Sequence, residues 1–125
     1  MAAVCTVLVV EDEPLIRKDL VDRLSRLGCA ALEAGSAAQA IAILERHREI
    51  TALFTDVQMP GAMDGIELAR YVRKRWPPTI IVVSSGKAPP EAGELAPDIP
   101  VLAKPYSEGT LKLVVGDVRA RASAI

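Results

Sequence analysis

The chain has 125 residues, enough for one domain whose hydrophobic core needs no framework of disulfides. Fifteen basic and sixteen acidic side chains give a net charge of −1, which argues against nucleic acid or an anionic membrane as a partner. Half of the residues are hydrophobic but only 3% are aromatic, so we expect an aliphatic core of the kind found around parallel strands buried on both faces.

The sequence predicts no signal peptide, no membrane-spanning helix and no metal site built from its cysteines. The amino terminus has no basic region and reaches an acidic residue at Glu11, unlike a signal peptide. No apolar run approaches the ~20 residues that a membrane-spanning helix needs. Cys5 and Cys29 lie far apart with no Cys-x-x-Cys spacing, so we expect buried, reduced thiols. These features predict a soluble cytoplasmic domain.

Apolar runs of strand length alternate along the chain with segments of helical periodicity. The predicted strands are residues 5–10, 29–34, 51–55, 79–83 and 101–103. The predicted helices lie between residues 12 and 28, 36 and 47, 63 and 77, and 107 and 122. Pro14 suits a first helical turn, Gly28 a C-cap, and Ser36 with Gln39 a capping box. This order predicts an α/β domain over residues 1–125, with helices on both faces of one parallel sheet.

The segment between the fourth and fifth strands departs from this alternation. Four prolines fall between Gly86 and Pro100. Proline removes a backbone donor and clashes with the preceding helical turn, so a full helix is disfavoured there. We expect at most one or two turns around residues 91–95, and therefore a fourth helix that is short or irregular.

Polar side chains stand directly after four of the predicted strands. They are Glu11 and Asp12 after the first strand, Asp56 after the third, Ser84 after the fourth and Lys104 after the fifth. The carboxyl ends of parallel strands converge on one edge of the sheet, where ligands bind in open α/β folds. An aspartate at the end of a buried strand loses hydration and needs compensation. Three carboxylates, a hydroxyl and an ammonium at one edge predict a site for a cation and a phosphoryl group.

With these residues in order, the chain resembles the receiver domain of two-component response regulators over essentially its whole length. Met59-Pro60 and Met63-Asp64-Gly65 after the third strand, and Pro105 after the last, add to the resemblance. It implies a flavodoxin-like (βα)5 doubly wound parallel sheet with strand order 2-1-3-4-5, as in single-domain, chemotaxis-regulator-like receivers. It also implies that Asp56 accepts a phosphoryl group from a histidine kinase or a histidine phosphotransfer protein and signals by a conformational switch.

The resemblance also implies a divalent cation beside the phosphoacceptor. Mg²⁺, with Mn²⁺ as an alternative, is expected to bind Asp12 and Asp56 directly. Glu11 is expected to bind it through water, and Gln58 through its backbone carbonyl.

Two further residues complete the implied site. Lys104 is expected to contact the carboxylate of Asp56 and then a phosphoryl oxygen. Ser84 is expected to donate a hydrogen bond to the phosphoryl group and draw the following loop inward. Val101 stands where the family commonly has an aromatic residue, so we expect the signal to leave through ordering of residues 87–100 instead.

Other functions compete with this interpretation. A receiver-like interaction module that works without phosphorylation, or a receiver excised from a hybrid histidine kinase, stays open. A nucleotide-binding enzyme would need a Gly-rich loop after the first strand, and an aspartyl-phosphate phosphatase would have an acid at Gln58. We therefore expect a signalling domain rather than an enzyme, with self-phosphorylation from small donors and autodephosphorylation. We expect a monomer or a phosphorylation-dependent dimer, with no nucleic acid or membrane as partner.

Overall fold

The computed structural model describes residues 5–86, 90–91 and 93–123. Its five strands are β1 Thr6–Val10, β2 Ala30–Ala34, β3 Ala52–Asp56, β4 Ile80–Ser85 and β5 Val101–Ala103. The four helices of these residues are α1 Pro14–Arg26, α2 Ala37–Arg46, α3 Gly65–Arg75 and α4 Glu108–Ser123. All strand pairs are parallel and their order is β2-β1-β3-β4-β5, which confirms the predicted doubly wound fold.

Alternating side chains of the central strands build a core on each face of the sheet. Leu8, Leu53 and Ile81 pack toward α2 and α3. Val9 and Phe54 belong to the opposite core, with α1 and α4. Because β1, β3 and β4 are covered on both faces, they are apolar for most of their length. The polar residues at their ends therefore lie at the rim of the sheet.

The local signals at the helix ends act largely as predicted. Gly28 has a φ of +88° after α1, and the Ser36 hydroxyl accepts a hydrogen bond from the backbone amide of Gln39 at 3.2 Å. The predicted capping box is only half formed, because the Gln39 side chain accepts from the amide of Gly35 at 2.7 Å and not from that of Ser36. Sequence analysis missed a full capping box at the start of α3, where Asp64 and Glu67 exchange hydrogen bonds of 2.9 and 3.2 Å. This cap fixes where the chain leaves the β3–α3 loop.

The connection between β4 and β5 is irregular where the structure describes it, as the prolines predict. Residues 90–91 and 93–100 form turns and no helix. Two arginines of α3 attach this connection to the domain: Arg70 Nε donates to the carbonyl of Glu94 at 2.7 Å, and Arg73 forms a two-point ion pair with Asp98. The expected ordering of residues 87–100 falls partly outside the described residues, since 87–89 and 92 are not among them.

The two cysteines depart from the sequence prediction. They are buried as expected, but they are joined as a disulfide rather than reduced. The reason is the register of β1 on β2, which pairs Thr6 with Ala30 and so brings the preceding residues, Cys5 and Cys29, within 4.8 Å of each other at Cα.

Among the residues that the structure describes, no helix combines the length and the apolar character that crossing a membrane requires.

Candidate functional site

Three carboxylates meet at the carboxyl edge of the sheet. Glu11 and Asp12 follow β1, and Asp56 ends β3, the neighbouring strand. One oxygen from each of them lies within 4.8 Å of the others. Glu11 is buried and Asp12 is exposed, while the side chain of Asp56 is 12% exposed. The cluster therefore has one inner acid, one outer acid and one between them.

Lys104 supplies the positive charge of the site. Its Nζ lies 2.8 Å from Oε1 of Glu11 and 3.3 Å from Oδ2 of Asp56. Burial by itself would lower the pKa of Lys104, but the hydrogen bond to Glu11 and the charge of Asp56 raise it above its usual value. The side chain is thus held as an ammonium between two carboxylates.

Asp12 responds to the same crowding of negative charge. Although Asp12 is exposed, the loss of part of its hydration raises its pKa, and the side chain of Glu11 raises it further through a hydrogen bond and through its charge. The ammonium of Lys104 acts in the opposite direction but does not cancel the shift. Among the residues that the structure describes, three acids lie beside one ammonium here, and a cation would neutralise the remaining negative charge.

The sheet register places Ser84 next to Asp56. The two residues are Cα partners across β3 and β4, and the amide of Val57 donates to the carbonyl of Ser84 at 2.9 Å. Paired residues on adjacent strands have their side chains on the same face, and the next residue points to the other face. Ser84 therefore shares the face of Asp56, whereas Ser85 faces the opposite way.

The β3–α3 loop lies directly against the carboxyl edge of the sheet. Gln58 is exposed and lines a shallow recess together with Met59. Gly65 closes the loop, because its amide donates to the carbonyl of Val57 at 2.8 Å and a Cβ on it would overlap the backbone carbonyl of Asp56. Only glycine allows α3 to begin this close to Asp56.

Two residues near the site were not given roles by sequence analysis. Tyr106 packs its ring 5.7 Å from that of Phe54, and burial raises its pKa to about 12. Arg17 of α1 donates from Nη1 to the backbone carbonyl of Glu11 at 2.8 Å. Neither contact has a signal in the sequence, since the first depends on the path of the chain between β5 and α4 and the second on how α1 lies on the sheet.

A second surface recess lies away from the carboxylate cluster. A cleft of about 920 Å³ is lined by Thr51 and Ile80 at the beginnings of β3 and β4, and by Trp76 after α3. No member of the carboxylate cluster contacts it. The acidic edge, rather than the cleft, is the candidate site.

A parallel β2-β1-β3-β4-β5 sheet with three acids and a lysine at its carboxyl edge is a doubly wound α/β domain with a candidate cation site at the strand ends. The sequence model of the response regulator receiver domain family matches residues 7–115. The chain belongs to this family, which serves two-component signalling.

Related proteins and solved structures agree with this assignment. The chain is 39% identical to the sensor kinase CckA of Brucella abortus over 66% of its own length and 9% of the kinase. It is 32% identical to a chemotaxis protein CheY homolog of Campylobacter jejuni over 89% of both chains. A response regulator receiver protein from Sinorhizobium medicae superposes with a TM-score of 0.86 at 29% identity, covering 95% of this chain and 97% of the other.

The share of each relative that is matched differs widely. The chain spans between 8% and 36% of the length of the first three curated relatives, which are two sensor proteins and a transcriptional regulatory protein. Receiver domains thus occur both as whole small proteins and as segments of long ones.

Proposed function

We propose that Asp56 is the phosphoacceptor of this receiver domain and takes its phosphoryl group from a histidine kinase or a histidine phosphotransfer protein. The observation that carries the proposal is the cluster of Glu11, Asp12 and Asp56 with Lys104 bound across it. The similarity to a sensor kinase supports a histidine kinase as donor. Residues 1–125 then act together as one receiver unit.

The positions of the three acids favour Asp56 as the nucleophile. Glu11 is buried, and its two oxygens face the ammonium of Lys104 at 2.8 Å and the amide of Glu13 at 3.4 Å. Asp12 is exposed at the outer side of the cluster. Of the three acids, Asp56 is the one that both contacts the ammonium, at 3.3 Å, and is the strand partner of Ser84; these two groups are suited to a transferred phosphoryl group.

The donor set fits a divalent cation. Oxygen ligands, with one or two carboxylates and several waters, are what Mg²⁺ prefers, and Mn²⁺ accepts the same ligands. We assign Asp12 and Asp56 as direct ligands, Glu11 as a ligand through water and Gln58 as a ligand through its backbone carbonyl. When bound, the cation neutralises the charge that would otherwise repel a phosphoryl group.

Asp56, Lys104 and Ser84 then take part in the transfer of the phosphoryl group. A carboxylate oxygen of Asp56 forms a bond to phosphorus while the bond from phosphorus to the donor imidazole nitrogen breaks. That nitrogen keeps the electron pair. Lys104 stabilises charge on a phosphoryl oxygen, since its ammonium already lies 3.3 Å from Asp56. The Ser84 hydroxyl donates to another phosphoryl oxygen and shifts the connection that follows β4.

Phosphorylation by a small donor tests the proposal. We would incubate the protein with Mg²⁺ and acetyl phosphate and measure intact mass for the wild type and for Asp56→Asn. Asp22→Asn is the matched control, because Asp22 is an exposed acid within α1. We expect a Mg²⁺-dependent adduct of one phosphoryl group in the wild type and the control, and none in Asp56→Asn. An adduct that persists in Asp56→Asn contradicts the assignment, and the lack of any adduct favours an interaction module that works without phosphorylation.

A further inference from the structure

We propose that Arg17, fixed by Glu33, is a positioning residue that holds the Glu11–Asp12 segment in the geometry that binds the divalent cation. The inference rests on the proposed function, since it concerns how the same site is built. Arg17 lies in the first turns of α1 and contacts neither Asp12 nor Asp56 in the interactions observed. It acts through the backbone of the chain.

The contacts of Arg17 connect three elements of the fold. Its Nη1 donates to the backbone carbonyl of Glu11 at 2.8 Å, and its Nε donates to Oε1 of Glu33 in β2 at 3.1 Å. On the other side of the same residue, the amide of Glu11 donates to the carbonyl of Ala34 at 3.1 Å. Both backbone polar groups of Glu11 are therefore held by bonds to β2 or α1.

The pair of Arg17 and Glu33 differs from the other ion pairs of α1. Lys18 and Arg23 each pair with an acid four residues away on the same helix, whereas Arg17 reaches an acid on another strand. The Arg17 side chain is 22% exposed, against 71% for Lys18. A side chain that is mostly buried and bonded at two nitrogens is held in one geometry, which an exposed pair within a helix is not.

The carbonyl that Arg17 binds belongs to the peptide that joins Glu11 to Asp12. Rotation of that peptide would move the Asp12 backbone and, with it, the carboxylate assigned to the cation. If this peptide had to be ordered each time the cation binds, the affinity for the cation would be weaker. Residues that hold metal ligands without contacting the metal commonly contribute about 10- to 100-fold to metal affinity. The guanidinium suits this task, since its planar fork donates in two fixed directions and an ammonium does not.

Calorimetric titration with Mg²⁺ tests the inference on four variants of the full chain. Arg17→Lys keeps the positive charge but loses the planar guanidinium with its two donor directions, and Arg17→Met loses both. Glu33→Gln keeps an acceptor for Nε, and Arg26→Lys makes the same exchange as Arg17→Lys at an exposed position of α1. We expect both Arg17 variants to bind Mg²⁺ about tenfold more weakly, Glu33→Gln to lose less, and Arg26→Lys to match the wild type.

Two further measurements separate positioning from charge and from folding. In Arg17→Lys, half-maximal phosphorylation by acetyl phosphate should need about tenfold more Mg²⁺, with an unchanged rate at saturating Mg²⁺. The carbonyl carbon resonance of Glu11 should shift in both Arg17 variants and stay in place in Arg26→Lys. Urea unfolding of each variant checks that the native state is populated throughout.

The outcomes separate this inference from the proposed function. If Arg17→Lys binds Mg²⁺ as tightly as the wild type, Arg17 acts at most through its charge and the inference is wrong, while the function of Asp56 stands. If the wild type binds no Mg²⁺, the proposed function and the inference both fail. Weaker binding in Arg17→Lys without a shift at Glu11 also contradicts the inference, because the effect then does not pass through that carbonyl.

Discussion

The ammonium of Lys104 lies 2.8 Å from the carboxylate of Glu11, across 93 residues of sequence. Lys104 follows β5, at one edge of the sheet, and Glu11 follows β1, three strands away in the order β2-β1-β3-β4-β5. The side chain therefore spans the carboxyl ends of β4 and β3 and passes Asp56 at 3.3 Å. Within the described part of the chain, Lys104 is thus the positive charge that pairs with these two carboxylates.

Removal of the counter-charge should lower stability and strengthen cation binding. Lys104→Met leaves the buried Glu11 without its charged partner, and we expect a loss of about 2 kcal/mol in the free energy of unfolding without Mg²⁺. Mg²⁺ should bind about tenfold more tightly, since a competing positive charge is gone. Urea unfolding with and without Mg²⁺ measures both effects. Lys112→Met on the exposed side of α4 is the control, and weaker Mg²⁺ binding in Lys104→Met would contradict this view of the site.

The two glycines Gly65 and Gly116 should respond in opposite ways to the same substitution. A Cβ at Gly65 would overlap the carbonyl of Asp56, so Gly65→Ala should push α3 away from the site and lower the free energy of unfolding by about 1–3 kcal/mol. A Cβ at Gly116, within α4, meets nothing within 4 Å. Gly116→Ala should therefore stabilise the protein by about 0.5–1 kcal/mol. Urea unfolding compares them, and equal effects would contradict the packing at Gly65.

Tyr106 should make stability depend on alkaline pH. Its pKa is about 12 in the folded protein against 10.0 for the free group, because burial disfavours the phenolate. The folded protein binds the phenol proton more tightly than the unfolded chain does. The resulting contribution of Tyr106 to the free energy of unfolding is therefore complete below about pH 10 and is lost as the pH rises toward about 12. Between about pH 8 and pH 11, the free energy of unfolding measured in urea should decrease less in Tyr106→Phe than in the wild type.

The disulfide should be detectable by thiol labelling. Alkylation of the denatured protein without reductant should modify neither Cys5 nor Cys29, and prior reduction should expose both. Closing a loop between residues separated by 24 positions stabilises a fold by about 3 kcal/mol in the chain-entropy estimate, so reductant should lower the free energy of unfolding by about this amount. The double variant Cys5→Ala/Cys29→Ala should not respond to reductant. Alkylation of both Cys5 and Cys29 without reductant would contradict the disulfide.

The sequence predicts the position of the carboxylate cluster because strand ends can be read from apolar runs. Glu11, Asp12, Asp56 and Lys104 each follow such a run, and the parallel order of the strands brings them together. The irregular β4–β5 connection was predictable in the same way, since proline acts on its own backbone and that of its neighbours. Both features depend on local rules plus the known geometry of a parallel sheet.

The features that sequence analysis missed depend on register and packing. The contact of Cys5 with Cys29 requires the alignment of β1 on β2, which no local pattern contains. Arg17 reaches a backbone carbonyl and a glutamate 16 positions away, so its role follows only from how α1 lies on the sheet. The capping box of Asp64 and Glu67 differs, because its spacing is visible in the sequence and was overlooked.

The most direct test of the central claim is to locate the phosphoryl group within the chain. After reaction with acetyl phosphate and Mg²⁺, borohydride reduces an acyl phosphate to an alcohol, and the altered residue can be found by peptide mass spectrometry. The account predicts that Asp56 is reduced, and that Glu11 and Asp12 are recovered unchanged. Reduction at Asp12 or Glu11, with Asp56 unmodified, would contradict it.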